Sequence, residues 1–205
     1  LKRNLLQNSF IGAIVTSRDS TIAGDYNRVY GGDAVFEFFN KVDVTGYLLK
    51  SSTPGVTEDD DAKRFTAGWK DNVLSFGGEY EKVGDNFNPE VGFIRRPDMS
   101  HYSGDFAYNP RIRRIRYLRD YTVSAGYDYY AGTDGKIETR TDNQRFNLEF
   151  ANSASFAVST TRTFERLRNP FVRYSIPVGD YEYREYSVSY NSDRSRLLGG
   201  RINYN

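Results

Sequence analysis

Ser100, His101, Ser103 and Asp105 fall within the segment MSHYSGD. These are the residue types of a hydrolytic relay: a hydroxyl nucleophile, a base to take its proton and an acid to orient the base. The spacing speaks against that chemistry. On a strand His101, Ser103 and Asp105 share one face, but neighbours on that face stand about 7 Å apart because each residue advances ~3.4 Å. No G-x-S-x-G elbow accompanies them to hold a nucleophile at a strained turn. The acidic run Glu58, Asp59, Asp60, Asp61 has oxygen ligands for a divalent cation, yet lacks the spaced pattern of a dedicated calcium loop, and a solvated loop accounts for it. Glu79 and Glu81 are a carboxylate pair on one strand face, which a polar lining explains without acid–base work. RIRRIR, from Arg111 to Arg116, has the residue types of a phosphate-binding patch; it borders a short turn, where lipid headgroups or no ligand at all are expected. GTDGK is turn chemistry, Asp134-Gly135 favouring the positive φ of a tight hairpin.

Composition closes other routes. The chain has 205 residues, no cysteine and a single histidine, which excludes disulfides, thiolate chemistry and multi-histidine metal sites. With 28 basic and 27 acidic residues no overall field favours nucleic acid as a partner. No catalytic residue, cofactor or metal site is therefore expected. Mean hydropathy is −0.68, poor for a soluble core, whereas the aromatic share of 16% is far above what a disordered chain carries.

The elements that must carry these residues are strands. Period-two alternation recurs in AVFEFF, VDVTGYLLKS, RFTAGWK, LSFGGEYEK, YTVSAGYDYY, RFNLEF, SFAVST and EYSVSYN; one face of each is apolar and the other polar or charged. Leu74, Phe76 and Tyr80, for example, oppose Ser75, Glu79 and Glu81. About eleven such segments are counted, near the ~9–11 residues a tilted membrane strand needs. Short turns at 40–41, 71–72, 110–113, 152–153 and 192–195 alternate with long loops at 18–25, 51–61, 83–97, 131–142 and 165–180. Regular alternation is expected when odd and even connections lie on opposite sides of a membrane. In lipid every backbone polar group must pair within the protein, so a β-protein spans only as a closed barrel. The expected fold is thus all-β, an antiparallel up-and-down transmembrane β-barrel. Residues 1–205 would be one barrel domain, a fragment of a larger barrel with both ends cut. Tyr26, Tyr47, Tyr80, Tyr108, Tyr129, Tyr190 and Tyr204 are assigned to aromatic girdles at its rims.

One segment keeps neither period. In DNFNPEVGFIRRPD, residues 85–98, Asp85, Asn86 and Asn88 are turn formers, Pro89 fixes φ and biases Asn88 toward extended geometry, and Gly92 permits close backbone approach. Phe87, Val91, Phe93 and Ile94 are too apolar for a solvated loop and are expected to pack against the barrel rim or wall. Glu90, Arg95 and Arg96 would then be offered to polar groups or a ligand. Asn86, Phe87, Asn88, Pro89, Glu90, Gly92, Phe93, Arg95 and Arg96 are the candidate structured loop or ligand-contact residues.

Several passages together carry a resemblance: SFIGAIVTSRDS, YNRVYGGDAVFEFF, GYLLKSSTPG, GDNFNPEVGFIRRPD and GDYEYREYSVSYNSDRSRLLGG. Over nearly its whole length the chain resembles a bacterial outer-membrane β-barrel domain of unknown function, found C-terminal to a family 9-like carbohydrate-binding module. FNPEVGF, followed by Arg96, is the most specific element; IGAIVT and SDRSR support it. The resemblance implies a Gram-negative outer-membrane location, contact with outer-membrane lipid, and glycans as partners through the upstream module. The resemblance supplies no reaction, and the leading reading is a non-enzymatic barrel serving as anchor, conduit or receptor for an associated sugar-binding module. The alternatives are a surface-exposed, membrane-associated hydrolase acting on glycans and a soluble β-sandwich that binds glycans through its tyrosines.

Overall fold

The computed structural model describes all residues except 7, 23, 95, 171–175 and 194–198. Twelve strands follow one another: β1 (Lys2–Leu6), β2 (Ser9–Asp19), β3 (Tyr26–Phe38), β4 (Val42–Ser52), β5 (Asp61–Lys70), β6 (Leu74–Val83), β7 (Met99–Tyr108), β8 (Leu118–Ala131), β9 (Ile137–Phe150), β10 (Ser155–Leu167), β11 (Gly179–Asn191) and β12 (Arg201–Tyr204). Each is hydrogen-bonded to the next in a single sheet ordered β1 to β12. The protein is therefore all-β, an antiparallel up-and-down meander, and no helix among the described residues is long and apolar enough to cross a membrane. The order is open. Among the described residues β1 and β12 do not pair with each other, so the closed ring expected from the sequence is not formed by these strands alone.

Connection lengths depart from expectation at two places. Residues 131–142 were expected to be a long loop, but β9 begins at Ile137 and the connection shrinks to a turn. Gly135 takes φ +75° there, its N–H bonds Gly132 O at 2.9 Å, and Gly132 N–H bonds Lys136 O at 3.0 Å. The sequence IETRTD is polar on both faces and so hides its period, while Ile137, Thr139 and Thr141 are ordinary strand formers. In the other direction, the turn expected at 110–113 extends over 109–117 before β8 begins. The turn expected at 192–195 and the SDRSR segment fall partly outside the described residues.

Contacts group the chain into two compact units. The first comprises Leu1–Trp69, Gly78–Tyr102 and Tyr130–Ile137; the second comprises Lys70–Gly77, Ser103–Tyr129 and Glu138–Asn205. Within the first, register sets side chains in rows across the sheet. Gly12 faces Asp33, Asp33 faces Tyr47 and Tyr47 faces Arg64; one row along, Ile14, Gly31, Leu49 and Ala62 align in the same way. On the opposite face Leu48 and Phe65 are exposed by 67% and 54%.

Within the second unit the separation of faces is sharper. Leu148, Phe156, Tyr190 and Ile202 form one cross-strand row, and Phe146, Val158, Val188 and Tyr204 the next. The interleaved row on the other face is Asn147, Ala157, Ser189 and Asn203. Cross-strand apolar pairs stabilise a sheet by a few tenths to about 1 kcal/mol each. In water these rows would stay wet; in hydrocarbon they are the matched surface.

Candidate functional site

The site is assembled in the first unit from the ends of β2 to β8 and from residues 84–98. Its foundation is a small core: Val29, Ala62, Val83, Phe87 and Met99 are buried, with Tyr47, Leu49, Ile94 and Tyr130 packed around them. Four of the five buried members are strand residues. Phe87 alone comes from the irregular segment, which it pins to the sheet; burial of such a ring stabilises by about 2–3 kcal/mol.

Backbone polar groups brought in with Phe87 need partners, and the surrounding residues supply them. Gly84 N–H bonds Asp61 O at 2.9 Å, and Asn86 N–H bonds Asp59 O at 3.0 Å. The Asn86 side chain donates to Glu58 O at 2.9 Å. Asn88 N–H donates to Ser51 Oγ at 3.2 Å. Asn27, 1% exposed, serves three groups: its Nδ2 donates to Asn88 O at 2.8 Å and Thr53 Oγ1 at 3.0 Å, and its Oδ1 accepts from Glu90 N–H at 3.3 Å. Gly92 N–H closes a turn onto Pro89 O at 2.8 Å.

Close approach is required at Gly84 more than at Gly92. A Cβ on Gly84 would lie 2.0 Å from Asp59 O, whereas one on Gly92 would meet the Pro89 side chain at 3.3 Å. An ion cluster locks the outer side of the segment. Arg18 bonds the Glu90 carboxylate and reaches both Asp25 oxygens at 3.1 and 3.2 Å. That guanidinium holds the Asp25 carboxyl below its ordinary range.

Beneath the segment lies a cavity of about 970 Å³. Glu79 and Glu81 of β6 and His101 of β7 place one ligand atom each within 4.8 Å of the others. Arg64 donates to Glu79 at 2.5 Å, Tyr47 O–H donates to Glu81 at 2.5 Å, and His101 Nδ1 stands 3.4 Å from Glu79 Oε1. The His101 ring stacks on Tyr130 at 4.1 Å and 6°, and the Arg96 guanidinium lies 4.9 Å from the centre of that tyrosine. Two carboxylate oxygens and an imidazole nitrogen are a donor set suited to a divalent cation. Here Arg64 already engages Glu79 and the Tyr47 hydroxyl engages Glu81, so the arrangement reads as a hydrogen-bonded network. It presents carboxylates, a guanidinium and aromatic faces to any polar solute entering the cavity.

The sequence-expected residues divide accordingly. Asn86, Phe87, Asn88, Pro89 and Glu90 are held by the contacts above, and Arg96 meets Tyr130. Phe93 and Val91 were expected to pack down, but stay 88% and 63% exposed; the turn at Pro89–Gly92 points them away from the core that Phe87 fills, at the cavity's edge. Arg95 lies outside the described residues. Tyr47, assigned to a rim girdle, instead lines the cavity, because it alternates onto the polar face of β4. His101 turns its Nδ1 to Glu79, not to Asp105. Sequence reasoning missed Asn27, Ser51, Arg64 and Tyr130. Their types give no local signal, because their partners are distant in the chain. Comparison with family models, curated proteins and solved structures finds no match to this chain.

Proposed function

We propose that this chain is a non-catalytic outer-membrane β-barrel domain acting as a receptor or conduit, with residues 84–98 as a fixed plug that narrows its mouth. The supporting observation is that opposite strand faces suit opposite media. On β4 and β5, exposed Leu48 and Phe65 match hydrocarbon, and Tyr47 and Arg64 on the other face, with Glu79, Glu81 and His101, match a wet interior. A consecutive antiparallel meander is the connectivity of an up-and-down barrel, whereas sandwiches interleave strands through Greek-key connections. Closure of the sheet and attachment to a sugar-binding module belong to the same proposal, the second through the resemblance noted above. In this reading the plug selects small polar solutes, or transmits occupancy of an attached glycan-binding module.

Membrane fractionation with heat-dependent gel mobility tests the proposal. The chain should sediment with outer membranes, need detergent for extraction and migrate faster unheated than boiled. A chain that stays folded and monomeric in buffer without detergent would replace this reading with the soluble glycan-binding alternative.

A further inference from the structure

Many of the described arginines are paired with a carboxylate. Arg18, Arg64, Arg140, Arg162 and Arg166 each meet a carboxylate within 4.0 Å. Residues 109–117 of the second unit depart from that rule. Arg111, Arg113, Arg114 and Arg116 are all exposed, and among the described residues none of the four has a side-chain hydrogen bond, ion pair or ring contact. The nearest acids in sequence, Asp105 and Asp120, flank the segment, and Asp120 is engaged by Arg119 at 3.2 Å.

The segment is nevertheless built. Asn109 N–H bonds Val73 O at 2.7 Å, Ile112 N–H bonds Arg119 O at 3.0 Å, Leu118 N–H bonds Ile115 O at 3.1 Å, and Ala151 N–H bonds Tyr117 O at 3.0 Å; Arg111 and Asp120 form a β-bridge. A fixed backbone therefore displays four uncompensated guanidiniums together with apolar groups left in the open. Ile115 is 50% exposed, Tyr117 76% and the neighbouring Val73 44%.

Guanidinium forks match phosphate oxygens in geometry as well as charge. Tyrosine and aliphatic groups beside them match the boundary between headgroup and acyl chain. We propose that residues 109–117 form a binding platform for anionic phospholipid, in which the four arginines take headgroup phosphates while Ile115 and Tyr117 enter the interface. This rests on the membrane reading above and adds a lipid class and a location to it. A free phosphate would satisfy the guanidiniums but leave Ile115, Tyr117 and Val73 in water, so the lipid is the better occupant.

Fluorescence quenching tests it. The full chain with Trp69→Phe and Tyr117→Trp carries one indole, in the platform. It is refolded into phosphatidylcholine vesicles containing a minority of phosphatidylglycerol, with bromine on one lipid or the other. Brominated phosphatidylglycerol should quench that indole on the order of five-fold more strongly per mole than brominated phosphatidylcholine, and salt should erase the difference. Arg111→Gln, Arg113→Gln, Arg114→Gln and Arg116→Gln together should abolish the preference in a chain that still floats with vesicles. Should that variant fail to insert, the salt titration of the parent carries the same information. Equal quenching by the two lipids in a floating, folded chain overturns this inference and leaves the barrel reading intact. Loss of preference on adding inorganic phosphate, at an ionic strength where sodium chloride leaves the preference intact, assigns the arginines to a free anion and overturns the lipid. A chain that floats with neither vesicle composition overturns the membrane reading and this platform with it.

Discussion

Residues 84–98 and residues 109–117 are both irregular, both rich in polar side chains, and folded on opposite principles. The first segment turns inward. It has one large apolar side chain at the right place, Phe87, and amide groups that find Asn27 and Ser51 waiting on the strands. Two of its charges find partners, Glu90 in Arg18 and Arg96 in the Tyr130 ring. The second segment has like charges that repel one another and apolar groups, Ile115 and Tyr117, that find no pocket. It is fixed by its backbone alone and leaves its side chains outside. Order in a loop thus says little about burial. What decides is whether the receiving surface holds complementary groups, and only the first segment meets one.

Substitutions in the first segment should disturb it and leave the second untouched, and hydrogen exchange followed by mass spectrometry can read both at once. The largest effect is expected for Gly84→Val, which forces a side chain into the Asp59 carbonyl and should cost about 3 kcal/mol or more. Exchange over 84–98 should then approach that of a free peptide, while 109–117 keeps its rate. Phe87→Ala removes the buried ring and should cost about 3–4 kcal/mol of local stability, speeding exchange of the segment by roughly several hundred-fold. Asn27→Ala leaves the Asn88 carbonyl and Glu90 N–H without their partner and should cost about 2 kcal/mol. Unchanged protection in the Asn27 variant would mean that water replaces the amide at no cost, and the distinction drawn between the segments would weaken.

Acidification gives a smaller, signed effect. The folded-state pKa of Asp25 is depressed by Arg18, so its contribution is present above the ordinary carboxylate value of about 3.9. It is lost as pH falls through the lower folded value. Protection at 84–98, tied to the same arginine through Glu90, should be flat from about pH 5 to 8 and decline below about pH 4. Residues 109–117, which hold no carboxylate and no histidine, should not respond. Loss of protection already near neutrality would contradict this assignment to Asp25.

Much of this architecture could be read from residue order, for a physical reason: a two-faced strand must alternate, so LSFGGEYEK and EYSVSYN declare both their conformation and their faces. Asp134-Gly135 likewise declared its turn. Legibility fails where both faces are polar, as in IETRTD, which reads as loop and is the start of β9. It also fails where a partner is remote. Nothing local to Asn27 indicates that it will hold Asn88 and Glu90, since that meeting depends on the register of β3 with β4 and on the path of the chain after β6. Phe87 was legible as apolar in an irregular segment, but so were Val91 and Phe93, which stay exposed. Composition shows that something must be buried; only the turn at Pro89–Gly92 selects which.

The central claim is that one face of each strand meets hydrocarbon and the other a wet interior. Nitroxide labels placed singly at Phe76 and Val158, and at Glu81 and Ser159, in vesicle-reconstituted protein test it directly through collisions with oxygen, which partitions into lipid, and with a water-soluble nickel chelate. Labels at Phe76 and Val158 should collide with oxygen and be shielded from nickel, and labels at Glu81 and Ser159 should show the reverse. Equal accessibility of the two pairs to both quenchers would contradict the account.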